Sequence, residues 1–428
     1  MEKETLDRQP SGQNVSGKSE SSEPGKNPAL GLLFYLLPAV VDITVGMFFF
    51  ISAKRMADSG ANSYKIALTM AIWAVCYAVS SFAAGRVITP RNALRVLKTS
   101  QFILLGSLLG LAFTVDLDLQ FFWLMGTGLG GALFFTSFQP AIKLFNKGDG
   151  GPEAMIRNSA YYTFSWSTGL AFGPFIAAFV WGLFDPRTGW SYCYLIAAAL
   201  QLGVAIGVFA LDCYVKRLQA QPEAAGATAA DPAACASADA VSSHLPDLMI
   251  AGWLLQGLGY IAVAMMRTYL PDYCTGPLAM STFHQGLVMS LVSFAQALAG
   301  LACCTARRWP YRPWTVGAIS LTGAAAFLVF AGTSDWRLYA LAAVLLGIFS
   351  GVMCFTATFH ALVNPVKTAQ YVSVNETLVG VGSVVAPMLG AFLATHCGTR
   401  TPFFFSMGCL VLCAVLYGAY TWKYRSIR

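Results

Sequence analysis

Twelve runs of about twenty apolar residues, separated by short polar connections, dominate the sequence. A helix rises about 1.5 Å per residue, so a run of that length crosses the roughly 30 Å hydrocarbon core of a bilayer. No water is available there to satisfy an open backbone, so such runs must close their hydrogen bonds as helices. The pattern predicts helices near 29–52, 65–85, 99–115, 119–143, 159–182 and 191–214, then near 248–269, 281–304, 315–333, 338–361, 371–395 and 402–422. Of the 428 residues, 56% are hydrophobic and only 11% charged, whereas soluble domains carry about a quarter charged residues. The expected fold class is an all-α membrane protein with twelve transmembrane helices.

The two halves of the chain repeat. The run from Ser165 to Gly182 carries Gly169, Gly173 and Ala177 at four-residue spacing, with Pro174 among them. Small residues four apart make a flat stripe on one helix face, where another backbone can approach closely. Proline there removes a backbone hydrogen bond and bends the helix. The same arrangement, Gly382, Ala386, Pro387 and Gly390, returns 213 positions later. Gly46 and Gly259 share that offset, and Ala84-Gly85 reappears as Ala299-Gly300 at a similar one. The chain thus divides into a polar tail (1–28), two six-helix bundles (29–215 and 248–422), a polar alanine-rich linker (216–247) and a short tail (423–428). Two pseudo-symmetric bundles of this kind place a binding site between them, near mid-membrane. Repetition also gives the Gly-Pro stripe a structural meaning, as the packing seam and gate of each half.

Basic residues gather on one side of the predicted membrane. That side holds Arg86, Arg91, Arg95, Lys98, Lys147, Arg157, Lys216, Arg217, Arg307, Arg308, Arg312 and Lys367, with Lys143 as an anchor at the end of the fourth helix. By the excess of Lys and Arg in cytosolic loops, both termini and the linker are expected in the cytosol. The tail before residue 28 has no apolar core and does not read as a cleaved signal peptide; its Asn14-Val15-Ser16 sequon, in the cytosol, is a chance match. The net charge of +7 comes from loop residues that flank apolar runs, not from a dense basic patch, so nucleic acid is not an expected partner. Eleven cysteines show no metal-like spacing. Cys274 and Cys397 share the outer side, where a disulfide is conceivable.

With these features the sequence resembles the major facilitator superfamily of transporters, as a bacterial-type member. The resemblance rests on the six-plus-six topology, the central linker, the Gly-x-x-x-Gly-Pro motif at 169–174 and Asn375 through Gly390, which is similar to the eleventh-helix motif of many members. It implies a multi-pass protein of the cell membrane, a bacterial inner membrane, and the fifth-helix motif implies proton-coupled antiport. Two other family signatures are altered. The loop after the second helix keeps Gly85, Arg86 and Arg91 but has Thr89 and Pro90 where the family has aspartate and arginine. The fourth helix, through Trp123–Gly131, lacks the arginine of drug antiporters.

Asp42 and Glu376 are the acids inside predicted helices that could couple transport to protons. A bare carboxylate in hydrocarbon costs several kcal/mol, so each must be protonated, paired or wet. The structural alternatives are an acid that orients the first helix, and a Glu376 stabilised near its helix N-terminus. Gln139, Trp166, Gln256, Tyr260, Gln285, Gln296 and Arg267 are candidate substrate contacts, since uncharged polar groups in such helices must face protein or a cavity; Gln201, Trp253 and Phe138 belong to the same polar and aromatic set. The competing reading is that the amides bond neighbouring helices and that Arg267 snorkels to the interface. His284 and His360 read as packing residues. No phosphate-binding glycine loop or nucleophile arrangement points to an enzyme, and no cofactor or metal is expected. The expected function is secondary transport of a small organic solute by a monomer using alternating access, with proton-coupled export favoured. Proton-coupled uptake of a sugar or other metabolite is the alternative, and a sensor or scaffold that does not transport is the alternative of another class.

Overall fold

The computed structural model describes residues 28–61, 63–89, 91–145, 152–184, 187–220, 248–275, 277–280, 282–305, 312–364 and 367–422. The N-terminal tail, most of the linker and the last residues lie outside that set, and with them the sequon and several loop arginines. Twelve long helices occupy the described residues, every one long and apolar enough to cross a membrane. They are α1 (Pro28–Asp58), α2 (Ser63–Val87), α3 (Ala93–Phe113), α4 (Leu119–Phe145), α5 (Pro152–Leu183) and α6 (Gly189–Ala220), followed by α7 (Met249–Thr275), α8 (Thr282–Ala302), α9 (Pro313–Gly332), α10 (Trp336–Val363), α11 (Thr368–Cys397) and α12 (Thr401–Trp422). With an even number of crossings, the start of α1 and the end of α12 share one face, here the terminal side.

Several helices outrun their apolar windows. α5 starts at Pro152, and α6 continues to Ala220, so the first residues assigned to the linker are helical. Beyond the hydrocarbon the backbone ladder can continue, as it does through the exposed Lys216 and Arg217 of α6, whereas a hydropathy window stops where the apolar signal ends.

Each half has its own core. Phe34, Phe48, Phe134, Phe138 and Tyr194 centre the first, and Phe327, Phe330, Tyr339, Phe349 and Phe403 the second. The contacts repeat between the halves: α1 packs on α5 and α6 as α7 packs on α11 and α12, and α2 packs on α4 as α8 packs on α10. The contacts between bundles obey the same symmetry. α2 meets α11 and α5 meets α8, while α4 and α10 each reach the opposing partner helix.

The two Gly-Pro stripes form seams of different kinds. Gly173 faces the backbone of α1: an added Cβ would lie 2.6 Å from Ile43 O and 2.7 Å from Gly46 Cα. Gly169 sits against Ala39 O and the Cβ of Asp42. The second stripe instead receives side chains. Gly382 is filled by Tyr260, and Gly390 by Met265. The stripes are therefore not equivalent seams, since only the first brings backbone against backbone. Gly259, matched to Gly46 by spacing, instead has its Cβ direction against Met353 and Phe349 of α10. The other repeated pair does correspond. Gly85 lies against Ser373 of α11 and Gly300 against Thr163 of α5, both at inter-bundle contacts near the terminal side.

Candidate functional site in the cavity between the bundles

A cavity of about 670 Å³ lies between the halves, walled by α1, α2, α4 and α5 from one bundle and α7, α8, α10 and α11 from the other. Its polar end is formed by Asp42, Gln139, Tyr162, Asn375 and Glu376, while Phe50, Met70 and Gly286 line it near the far ends of α1, α2 and α8. Below the polar end, towards the terminal side, the bundles close on each other. Ser373 Oγ donates to Ser81 O across the gap at 2.6 Å, and a Cβ on Gly300 would meet Thr163 Cγ2 at 2.6 Å. The cavity thus extends from mid-membrane towards the side opposite the termini.

Glu376 sits eight residues after the start of α11, deeper than the sequence suggested because that helix begins at Thr368. Both of its carboxyl oxygens are engaged by the other bundle. Tyr77 Oη donates to Oε2 at 2.6 Å, and Gln139 Nε2 donates to Oε1 at 3.1 Å while lying 3.4 Å from Tyr162 Oη. One residue of α11 is thereby clasped by α2 and α4.

Asp42 lies within one turn of the midpoint of the Phe34–Met56 span and is 5% exposed. Its Oδ2 is buried without a hydrogen-bond partner. The glycine at 169 is what lets this stretch of α1 press on α5, which ties the Gly-Pro motif to the position of the carboxyl.

Arg267 does not snorkel. Its guanidinium lines the cavity, and Nη2 donates to Gln296 Oε1 at 2.9 Å. Gln296 stands behind the wall: its Oε1 also accepts from Ser350 Oγ at 2.7 Å, and its Nε2 donates to Ser167 Oγ of the other bundle at 2.8 Å. Trp166, Gln256 and Tyr260 line the cavity, Tyr260 Oη pairing with Ser383 Oγ at 3.3 Å. Gln285 does not line it; its amide donates to Met280 O at 2.8 Å, away from the polar end. Trp253 packs edge-on to Tyr371, Phe138 stacks on Phe34 in the first core, and Gln201 bonds Gln101 at 2.6 Å in the competing interhelical role. His284 stacks on Trp336, a packing role. Of the loop remnant, Gly85 packs on Ser373 while Arg86 lies exposed over the Phe82 ring and Arg91 is exposed. Cys274 and Cys397 are both free thiols, so the outer disulfide does not form.

Tyr77 and Trp73 were not singled out from the sequence. They stack on each other at 4.7 Å between centroids, and both line the cavity. The available signal was their four-residue spacing on α2, which puts two amphipathic rings on one face.

Twelve membrane-length helices in two related bundles, with a cavity between them, form an arrangement that many secondary transporters use. Residues 252–426 match the sequence model of the Major Facilitator Superfamily. No curated protein sequence matches the chain. Among solved structures, the chain is similar to the proton:xylose symporter XylE (13% identity, TM-score 0.71, 93% of this chain and 96% of that one). It is also similar to the human organic anion transporter MFSD10 (16%, 0.63, 91% and 97%) and to the E. coli fucose:proton symporter FucP (13%, 0.63, 92% and 98%). The family match thus covers the second half of the chain, and the fold of the whole is that of these solved transporters.

Proposed function

We propose that this protein moves a small organic solute across the cell membrane by alternating access, coupled to protons through Asp42 and Glu376. The observation that carries this reading is the placement of the two carboxyls at the closed end of the inter-bundle cavity, one on each bundle. A charged oxygen buried without a donor, as Asp42 Oδ2 would be, costs several kcal/mol. The neutral acid costs far less, so the charge on Asp42 follows its access to water. Glu376 has the opposite arrangement, a carboxylate met by two donors from the facing bundle. Rocking that opens the terminal side draws α11 away from α2 and α4 and removes both donors together. The carboxylate then needs water or a proton, which links proton occupancy to bundle position. That two of the structural relatives are proton symporters supports protons as the coupling ion. We place the terminal side in the cytosol on the basic residues of its loops, and take the protein to act as a monomer.

The test uses proteoliposomes loaded with a pH-sensitive dye and challenged with sugars, amino acids and organic acids. Internal pH is expected to change on addition of the transported class, and the sign separates export in exchange for protons from uptake with them. Solute flux that proceeds with no proton movement would contradict the reading. Glu376→Gln is expected to abolish gradient-driven accumulation while leaving solute exchange in place.

A further inference from the structure

Charge balance in the cavity singles out one side chain. Asp42, Glu376 and Arg267 are its ionisable lining residues of unambiguous charge type, and they are not equivalent. Glu376 is already held on both oxygens, by Tyr77 and Gln139. Among the described residues Arg267 has no carboxylate within ion-pair distance; its one hydrogen-bond partner is an amide, Gln296. A guanidinium near the end of a membrane span is costly without a directly paired carboxylate, and Asp42 in the same cavity lies near enough to feel its charge but not to pair with it. This one is also braced. Gln296 fixes Nη2 and is itself held by Ser350 and, from the other bundle, by Ser167. Such bracing spends three polar groups on aiming a single cation, which is how a recognition group is preorganised. The remaining wall is largely apolar and aromatic, with Phe49, Trp73, Trp166, Phe175 and Tyr260 around the lumen.

We infer that the solute is an amphiphilic organic carboxylate, its anionic end on Arg267 and its apolar or aromatic body against these rings. The inference rests on the cavity being the transport site and adds the class of its ligand. The planar guanidinium suits a carboxylate because two parallel N–H groups meet its two oxygens. Gln296 is the positioning residue. Because it also bonds Ser167 across the α5–α8 seam, the aim of Arg267 follows the relative position of the bundles.

A matched trio tests the inference on the full-length protein: phenylbutyrate, phenylbutanol and phenylbutylamine share one body and differ only at the end group. Binding is read as quenching of tryptophan fluorescence, since Trp73 and Trp166 line the cavity. Phenylbutyrate is expected to bind at least about tenfold more tightly than the other two. Arg267→Gln is expected to erase that preference, Arg267→Lys to keep part of it, and Gln296→Leu to weaken it without reversing it. Equal binding of the trio, no binding of phenylbutyrate, or a preference that survives Arg267→Gln overturns the inference. Proton-coupled flux of a neutral solute, unchanged in Arg267→Gln, also overturns it and leaves the transporter reading standing.

Discussion

Tyr77 Oη donates to Glu376 Oε2 at 2.6 Å, joining two residues 299 positions apart that belong to different bundles. With Gln139, which donates to the other oxygen of Glu376, this contact fastens α11 to α2 and α4 at the closed end of the cavity. A hydrogen bond to a charged group contributes about 1.5–3 kcal/mol, and here that energy is present only while the terminal side is shut. Tyr77→Phe is therefore expected to shift the bundle equilibrium at least about tenfold towards opening on the terminal side. Cysteine labelling at Thr358, on the cavity wall, reads the shift as faster reaction from the terminal side; an unchanged rate would show that the clasp does not hold the closed state.

The seam between α1 and α5 has no room for a side chain. Gly173→Ala would put a methyl group 2.6 Å from Ile43 O and 2.7 Å from Gly46 Cα, contacts made to backbone that cannot swing aside. The expected cost is about 1–3 kcal/mol, read as a lower unfolding temperature in detergent. Gly182→Ala in the same helix is the control, because an added Cβ there meets nothing within 4 Å. It is expected to change stability by no more than about 0.5 kcal/mol.

The direction in which the cavity extends fixes an accessibility pattern. A membrane-impermeant maleimide added from the side opposite the termini is expected to react with Phe50→Cys and Gly286→Cys, whose parent residues line the far part of the cavity. Ser373→Cys, at the closed contact with Ser81 and Gly85, is expected to stay unlabelled from that side. Labelling is measured as the increment over the parent protein, which carries exposed thiols at Cys213 and Cys397.

The helices were legible because hydrocarbon leaves a chain no other way to satisfy its backbone, and the bundles because the repeat spacing survives in Gly169, Gly173 and Pro174 against Gly382, Ala386 and Pro387. Asp42, Glu376, Gln139, Trp166, Gln256, Tyr260 and Arg267 all line one cavity, since a polar group in an apolar helix must face something other than lipid. That rule cannot choose between a cavity and a neighbouring helix. Gln296 turned out to support Arg267 from behind, and Gln285 to bond a nearby backbone oxygen. Spacing likewise could not reveal that Gly382 is filled by Tyr260 while Gly173 touches backbone, because the difference depends on which residues the partner helix presents. The clasp on Glu376 joins residues from α2, α4 and α11 that no local pattern relates.

The most direct measurement compares proton movement in dye-loaded proteoliposomes containing the wild-type protein or Asp42→Asn, with solute exchange followed in parallel. Asparagine keeps the size of the side chain and cannot exchange a proton. The expected result is that solute exchange persists in Asp42→Asn while the solute-driven pH change falls to the level of empty liposomes. Equal coupled proton movement in the two proteins would contradict the assignment of Asp42 as a proton carrier.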